Sequence, residues 1–283
     1  MAIAALSVRR RLVGGALRRY REGIAYTLED SARCLGCDRS RISRIETGQR
    51  GISVSDLRVL LTDYGVEDPA QSVLAAIADP RMARGWWRKY TAILSRECQD
   101  YLSLETVASQ VLIYEAQRVP ELLQIPAYAE AFAAASPFQA GDGTGKAAEA
   151  VQARQRAVLD GPGPEICVVI GEAALRQSIG GAAVMRAQIA SLAEANSGNP
   201  RITVRVLPFK SGAHPAVTAG SLAILRFPDM PALGIVYLDG AGDGICLEDS
   251  RNLAAYARMF EQLKGFAFSA AASARLLGKL SAA

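Results

Sequence analysis

The stretch GCDRSRISRIETGQRG, residues 36–51, combines apolar residues at helical spacing with a run of arginines. At about 100° per residue, a helix places Ile42 and Ile45 on one face. The opposite face carries Arg39, Ser40, Ser43 and Arg44. Asp38 precedes this run, where its side chain can cap the helix N-terminus. The stretch therefore predicts a short helix with an apolar back and a cationic front.

The flanking sequence predicts further helices around this one. Residues 8–22 carry an apolar stripe at helical spacing, and 27–35 form a second helical segment that ends at Gly36. A turn of about three residues containing glycine then joins the second and third helices, which is the spacing of a helix-turn-helix. A fourth helix is predicted over 54–64, and a fifth begins near Pro69.

Positive charge is concentrated in this N-terminal quarter. Residues 1–61 contain twelve arginines, no lysine and six acidic residues, a net charge of +6 within a chain whose total is +4. Arginines that contact phosphates release condensed counterions, so a compact module of this charge suits DNA. The alternative is a solvated arginine-rich face without a ligand, and charge alone does not separate the two.

The order of motifs along the chain resembles a known family of regulators. ISRIETGQRGISVSDLRVLL, after TLEDSARCLGCDRS, resembles the Xre-type, lambda-repressor-like helix-turn-helix. The later motifs resemble the C-terminal domain of unknown function of WhiJ-like actinobacterial regulators. They are GWWRKYTAIL, YEAQRVPELLQIPAYAEAF, GEAALRQSIGG, ITVRVLPFKSGAHP and IVYLDGAGDGICLED. The resemblance implies a transcription regulator that binds specific DNA sequences.

The resemblance and the helical wheel together give the DNA-contacting residues. Expected base contacts come from Arg39, Ser40, Ser43 and Arg44, and expected phosphate contacts from Arg41, Arg50 and Thr27. Arginine suits guanine because its planar fork reaches O6 and N7 together. The resemblance also implies a structural ion pair between Arg21 and Glu46. Two residues depart from the family pattern, Leu28 in place of glutamine and Ser31 in place of a core leucine.

The resemblance further implies partners. We expect a homodimer on a palindromic double-stranded DNA operator, and a small BldB-related protein or a small-molecule effector acting on the C-terminal region. Candidates for a ligand or partner surface are Trp86, Trp87, Tyr114, Glu115 and His214. His214 has an alternative interpretation as a partly buried histidine bonded to backbone, and one tryptophan of the adjacent pair is expected in the core.

The predicted fold class is a mainly α N-terminal five-helix region followed by a helical segment and an α+β domain with a small, mostly antiparallel sheet. The predicted domains are 1–68 for DNA binding, 69–135 as a helical connecting segment, 136–148 as a flexible loop, and 149–283 for sensing or protein interaction. Five short apolar runs after residue 164 predict the strands.

The sequence matches no known catalytic or metal-binding motif. Cys34 and Cys37 form a CxxC without a second such pair, and the single histidine lies far away, so no metal or cofactor is expected. Five scattered cysteines and no apolar span fit a cytoplasmic protein that joins the nucleoid when bound to DNA. No catalytic constellation is recognised. The alternative kept open is an enzyme or ligand-binding protein whose helix-turn-helix is a structural relic.

Overall fold

The computed structural model describes residues 7–136, 143–228, 230–240 and 244–282. Five helices lie between residues 8 and 78, and we call this part the helix-turn-helix region. They are α1 (Val8–Gly23), α2 (Leu28–Cys34), α3 (Arg39–Glu46), α4 (Val54–Asp63) and α5 (Ala70–Ala78). The five-helix prediction is confirmed.

Side-chain caps explain where the short helices of this region begin. Thr27 and Asp30 form a capping box at the start of α2, in which each side chain accepts a hydrogen bond from the other residue's backbone N–H. Asp38 accepts from the backbone N–H of Arg41 at 2.7 Å, and Ser53 caps α4 in the same manner. These caps satisfy N–H groups that have no partner inside a helix.

Helices α1 and α3 approach each other closely at Gly14. A Cβ atom at this position would lie 2.3 Å from the backbone oxygen of Ile45 and 2.7 Å from that of Glu46. Ile42 and Ile45 are almost fully buried, as their spacing predicts. The glycine therefore allows the apolar back of α3 to pack directly against α1.

The rest of the chain, residues 96–281, combines helices with a sheet, and we call it the C-terminal region. Two 3₁₀ segments, Pro80–Arg84 and Trp86–Tyr90, connect it to α5, and two others span Glu121–Leu123 and Phe209–Ser211. Its helices are α6 (Arg96–Glu105), α7 (Pro126–Ala135), α8 (Gly143–Leu159), α9 (Glu172–Arg176), α10 (Gly181–Gly198), α11 (Ser250–Phe266) and α12 (Ala270–Ser281). Within the described residues, no helix is long and apolar enough to span a membrane.

Six strands of the described residues form one mixed sheet. They are β1 (Gln110–Glu115), β2 (Glu165–Gly171), β3 (Ile202–Leu207), β4 (Leu222–Phe227), β5 (Met230–Leu238) and β6 (Ile245–Leu247). Their order in the sheet is β3-β2-β1-β4-β5-β6. The pairs β1–β2 and β2–β3 are parallel, and the other three are antiparallel. The α+β class is confirmed, with the parallel pairs as an addition.

Strand β1 departs from the sequence-based expectation, which placed residues 69–135 in a helical segment. All residues of β1 after Gln110 are buried, because both faces of this central strand are covered. A continuous apolar run of this length has no alternation that separates a buried strand from a buried helix. The sheet therefore takes one of its two central strands from the stretch assigned to the connecting segment.

The alternating side chains of the strands supply two cores. On β1, Val111 and Ile113 join the core that contains α1, α6, α10 and α12, whereas Leu112 and Tyr114 join a second core. Helix α11 covers that second core through Leu253, Phe260 and Leu263. The first core is continuous from the helix-turn-helix region into the sheet.

The predicted flexible loop at 136–148 overlaps helix α8. Helix α8 begins at Gly143, so the second half of that stretch is helical, while residues 137–142 lie outside the described residues.

Candidate functional site

Helix α3 presents a polar face to solvent. Arg39, Ser40 and Arg44 are exposed, and Ser43 is half-buried. Behind them, Ile42 is 1% exposed and Ile45 is 2% exposed, so the helix cannot roll without exposing its apolar face. The four residues expected to contact bases therefore lie on one side of a short helix with a fixed orientation.

The two outermost arginines of this face make weak, exposed contacts. Arg39 forms an ion pair with Glu29 at 3.1 Å, and the two side chains are 67% and 53% exposed. Arg44 donates from Nε to the backbone oxygen of Ser40 at 3.2 Å. Exposed ion pairs contribute about 0–1 kcal/mol, so both guanidinium groups can exchange these contacts for DNA oxygens at little cost.

The residues expected to contact phosphate are held differently from one another. Arg50 is exposed in the loop after α3. Thr27 is exposed at the N-terminus of α2, with its hydroxyl donating to Asp30 at 2.6 Å. Arg41 is half-buried and bonded to Asp56 on α4, so a phosphate has to compete with that carboxylate for its guanidinium group.

Arg21 and Glu46 are brought together as a buried ion pair. The Nε and Nη2 atoms of Arg21 donate to the two carboxylate oxygens of Glu46 at 2.6 and 2.9 Å, and Nη1 donates to the backbone oxygen of Tyr26 at 2.7 Å. The hydrogen bonds that Arg21 donates to Glu46 raise the pKa of Arg21. Glu46 is the last residue of α3, so this pair fixes the end of the helix against α1.

Ser31, which departs from the family's core leucine, has a polar partner instead. The Tyr64 hydroxyl donates to Ser31 Oγ at 2.7 Å, and Ser31 Oγ donates to the backbone oxygen of Thr27 at 3.4 Å. Burial raises the pKa of Tyr64 to about 12. Leu28 is half-buried and packs against the core.

Among the described residues, no group of three or more His, Cys, Asp or Glu side chains could hold a metal, and this includes Cys34 and Cys37.

A cavity of about 750 Å³ lies in the C-terminal region, between the sheet and helices α6, α7 and α8. Trp86 and Glu115 line it, and both are candidates from the sequence. Trp87 is 4% exposed and Tyr114 is 3% exposed, and both lie in cores, which corrects their assignment to a ligand or partner surface. His214 lies outside the cavity beside Tyr114, with the ring centres 6.1 Å apart.

Two arginines of the cavity wall are each held by two carboxylates. Arg154 donates to Glu105 at 2.6 and 2.8 Å and to Glu121 at 2.7 Å. Arg118 pairs with Glu115 at 3.2 Å and also with Asp239.

The sequence carries no signal for the cavity residues other than Trp86 and Glu115. The ion-pair partners of Arg154 lie 33 and 49 residues away along the chain, so no local spacing indicates them.

The helix-turn-helix region is bonded directly to the C-terminal region. The carboxylate of Asp100, on α6, accepts from the backbone N–H of Val8 at 2.7 Å and from Ser7 Oγ at 3.3 Å. Arg11 on α1 pairs with Glu248, immediately after β6. The start of α1 is thus held by carboxylates of the C-terminal region.

These features define a helix-turn-helix DNA-binding domain joined to an α+β region. A family model for a helix-turn-helix domain matches residues 12–74. A second, for a domain of unknown function (DUF5753), matches residues 98–279, which is more than half of the chain, so the chain belongs to that family. No curated protein and no solved structure matches the chain.

Proposed function

We propose that the protein is a sequence-specific transcription regulator that reads the major groove of DNA with α3. The observation that carries this proposal is the exposed side of α3, where Arg39 and Arg44 are free of strong partners while Ile42 and Ile45 fix the helix. Arginine forks on a recognition helix suit guanine, and Ser40 and Ser43 are short enough to contact either base or phosphate.

Phosphate contacts would flank the reading helix. Thr27 offers a hydroxyl at the N-terminus of α2, in exchange for its hydrogen bond to Asp30, and Arg50 offers a cation in the loop after α3. The net charge of +6 over residues 1–61 supplies attraction that does not depend on sequence. We expect a homodimer on a palindromic operator, because helix-turn-helix dimers bind half-sites about 34 Å apart.

The C-terminal region would control the DNA-binding region through the contact at α1. Asp100 and Glu248 hold the first turns of α1, and α1 in turn carries Arg21, which holds the end of α3. A small molecule or a BldB-related protein that moves α6 or β6 would therefore change the position of the reading helix. This division assigns DNA contact to residues 1–68 and response to the C-terminal region.

The test is selection of binding sequences by the full-length protein from random duplex DNA, followed by affinity measurements at several salt concentrations. We expect an enriched inverted repeat. Log K should fall steeply with log salt, because a slope of about −0.9 per neutralised phosphate is general for duplex DNA. Lack of any enriched sequence, with only weak binding to all duplexes, would contradict the proposal.

A further inference from the structure

We propose that the 750 Å³ cavity of the C-terminal region binds a small organic cation, an amine with an apolar body, and that α6 transmits its binding to α1. The inference deepens the proposed function and rests on it only in the transmission step. Three sets of observations carry it: the size and lining of the cavity, its charges, and its unpaired polar atoms.

The size and lining of the cavity suit a small molecule. Ligand pockets in proteins have volumes of about 300–1,000 Å³ and mostly apolar walls with a few polar groups. The apolar part of this wall includes Ile93, Leu94, Ile113, Leu122, Phe132 and Val151. An amine with a hydrocarbon or aromatic body would bury its apolar part against these side chains.

The charges of the wall favour a cation. Glu115, Glu121 and Asp239 line the cavity, against the two guanidinium groups of Arg118 and Arg154. Glu105 does not line the cavity but forms an ion pair with Arg154, and it adds a fourth carboxylate. Both guanidinium groups are already shared between two carboxylates, so none is left to meet an anion.

The wall thus carries an excess of negative charge, and two of its carboxylates differ in their pKa. Burial raises the pKa of Glu115 in spite of the nearby Arg118. Desolvation opposes ionisation of Glu121, but Arg154 and Arg118 lower its pKa, so it stays charged, and its side chain is 36% exposed and can meet a ligand. In a cavity of low dielectric, a bound cation would offset this excess and an anion would add to it.

Two buried polar atoms of the lining residues have no partner within the described part of the chain. Gln124 is 4% exposed, and its Nε2 donates to the backbone oxygen of Val119 at 2.7 Å, but its Oε1 accepts no hydrogen bond. The Nε1 of Trp86 donates none. Buried polar atoms are nearly always paired. An ammonium group can donate to Gln124 Oε1, and an oxygen of the same ligand can accept from Trp86.

Helix α6 connects this cavity to the helix-turn-helix region. Cys98, Tyr101 and Leu102 of α6 line the cavity, and Asp100 of the same helix accepts hydrogen bonds from the start of α1. A ligand that shifts α6 therefore alters the contact that holds α1. The cavity is thus linked to α1 by one helix and two hydrogen bonds, and α1 is linked to α3 by the ion pair of Arg21 with Glu46.

The first experiment measures binding of three probes with one apolar body to the full-length protein without DNA, by calorimetry. The probes are 3-phenylpropylamine, 3-phenylpropanamide and 3-phenylpropanoate, which differ in the charge of the head group. We expect the amine to bind about tenfold or more tightly than the carboxylate, with the amide between them. Tightest binding by the carboxylate, or binding by none of the three, would overturn the proposal.

Variants of the wall test the position of the site. Glu121→Gln removes one charge while Arg154 keeps Glu105, and we expect the amine to bind about fivefold more weakly and the amide unchanged. Glu130→Gln, an exposed residue of α7, is the matched control. If Glu121→Gln does not fold, Asp239→Asn removes a different wall charge with the same expectation. Equal loss of amine binding in the Glu130 control, or none in either wall variant, would overturn the assignment.

A second experiment tests the transmission step with the selected DNA duplex. We expect saturating 3-phenylpropylamine to change the affinity for DNA by about threefold or more, and Asp100→Ala to remove that response while amine binding persists. If the amine binds without changing the affinity for DNA, transmission through α6 is contradicted, whereas the assignment of the cavity as an amine-binding site is not. The first experiment contains no DNA, so its result does not depend on whether the protein binds a specific DNA sequence. Failure of the proposed function and failure of the amine site can therefore be told apart.

Discussion

In the helix-turn-helix region, Arg39 and Arg44 of α3 lie exposed with weak partners, whereas in the C-terminal region Arg154 is buried and held by Glu105 and Glu121. The same side chain therefore serves two purposes. An exposed arginine can exchange its partner for a DNA oxygen at little cost, because water screens the pair it leaves. A buried arginine cannot leave its carboxylates without stranding their charge. Arg21 with Glu46 is the buried kind inside the DNA-binding region.

The largest effect is expected where a buried arginine is removed. Arg154→Met would leave Glu105, which is 0% exposed, without its cation, so we expect a loss of about 3–5 kcal/mol in the free energy of unfolding. Urea unfolding followed by circular dichroism measures it. Arg156→Met on the same helix is the control, because Arg156 is exposed. A loss below about 1 kcal/mol would remove the distinction between buried and exposed arginines.

Removal of an exposed arginine should act on DNA binding and not on stability. Arg44→Ala is expected to cost about 1–3 kcal/mol of discrimination at one or two base pairs, with stability unchanged within about 0.5 kcal/mol. Binding to single-base variants of the selected duplex gives the discrimination, and Arg186→Ala on α10 serves as the control. Uniform weakening on every sequence would reassign Arg44 to a phosphate.

The contact between the two regions should have an intermediate effect. Asp100→Ala removes the acceptor for Val8 N–H and Ser7 Oγ and a negative charge near the N-terminus of α1. We expect the free energy of unfolding to fall by about 1–2 kcal/mol and amide exchange to become faster in the first turn of α1. Glu97→Ala, one turn away on α6, is a control. Unchanged exchange in α1 would show that this turn is held by other contacts.

The smallest effect is expected at Tyr64, whose hydroxyl donates to the buried Ser31. Tyr64→Phe should cost about 1 kcal/mol at neutral pH. Burial raises the pKa of Tyr64 to about 12 in the folded protein, above its ordinary value of about 10. The protonated Tyr64 hydroxyl therefore makes its full contribution to the free energy of unfolding below pH ~10. That contribution is lost as the pH rises through ~12.

The Tyr64→Phe variant has no hydroxyl to ionise, so it does not lose stability in this way at alkaline pH. The difference in the free energy of unfolding between the wild-type protein and the variant should therefore shrink between those pH values. Urea unfolding at pH 7, 9 and 11 checks the trend, with Tyr20→Phe as a control. A deficit that stays constant with pH would contradict the assigned pKa.

The sequence predicts the elements whose patterns are local. Ile42 and Ile45 lie on the buried side of α3 as their spacing requires, and the later strands follow from short apolar runs. Strand β1 is missed because it is covered on both faces and shows no alternation. The Arg154 cluster is missed because its partners come from two other segments, α6 and the 3₁₀ turn at Glu121, and only the folded chain brings them together.

Assignments to surface and core show the same limit. Neither Trp87 nor Tyr114 carries a sequence signal that separates a core aromatic from one that faces a partner, and both are buried. Arg41 shares the charged side of α3 with Arg44 but is bonded to Asp56, which α4 brings from fifteen residues away. Helical periodicity gives the face of a residue, whereas the neighbouring element decides whether its charge is engaged.

The most direct test of the central claim is amide hydrogen exchange of the full-length protein with and without its selected duplex. If α2 and α3 read DNA, exchange should slow in residues 27–51 and stay unchanged in β4, in the centre of the sheet. Protection confined to the C-terminal region, with residues 27–51 unaffected, would contradict the assignment of DNA binding to the helix-turn-helix.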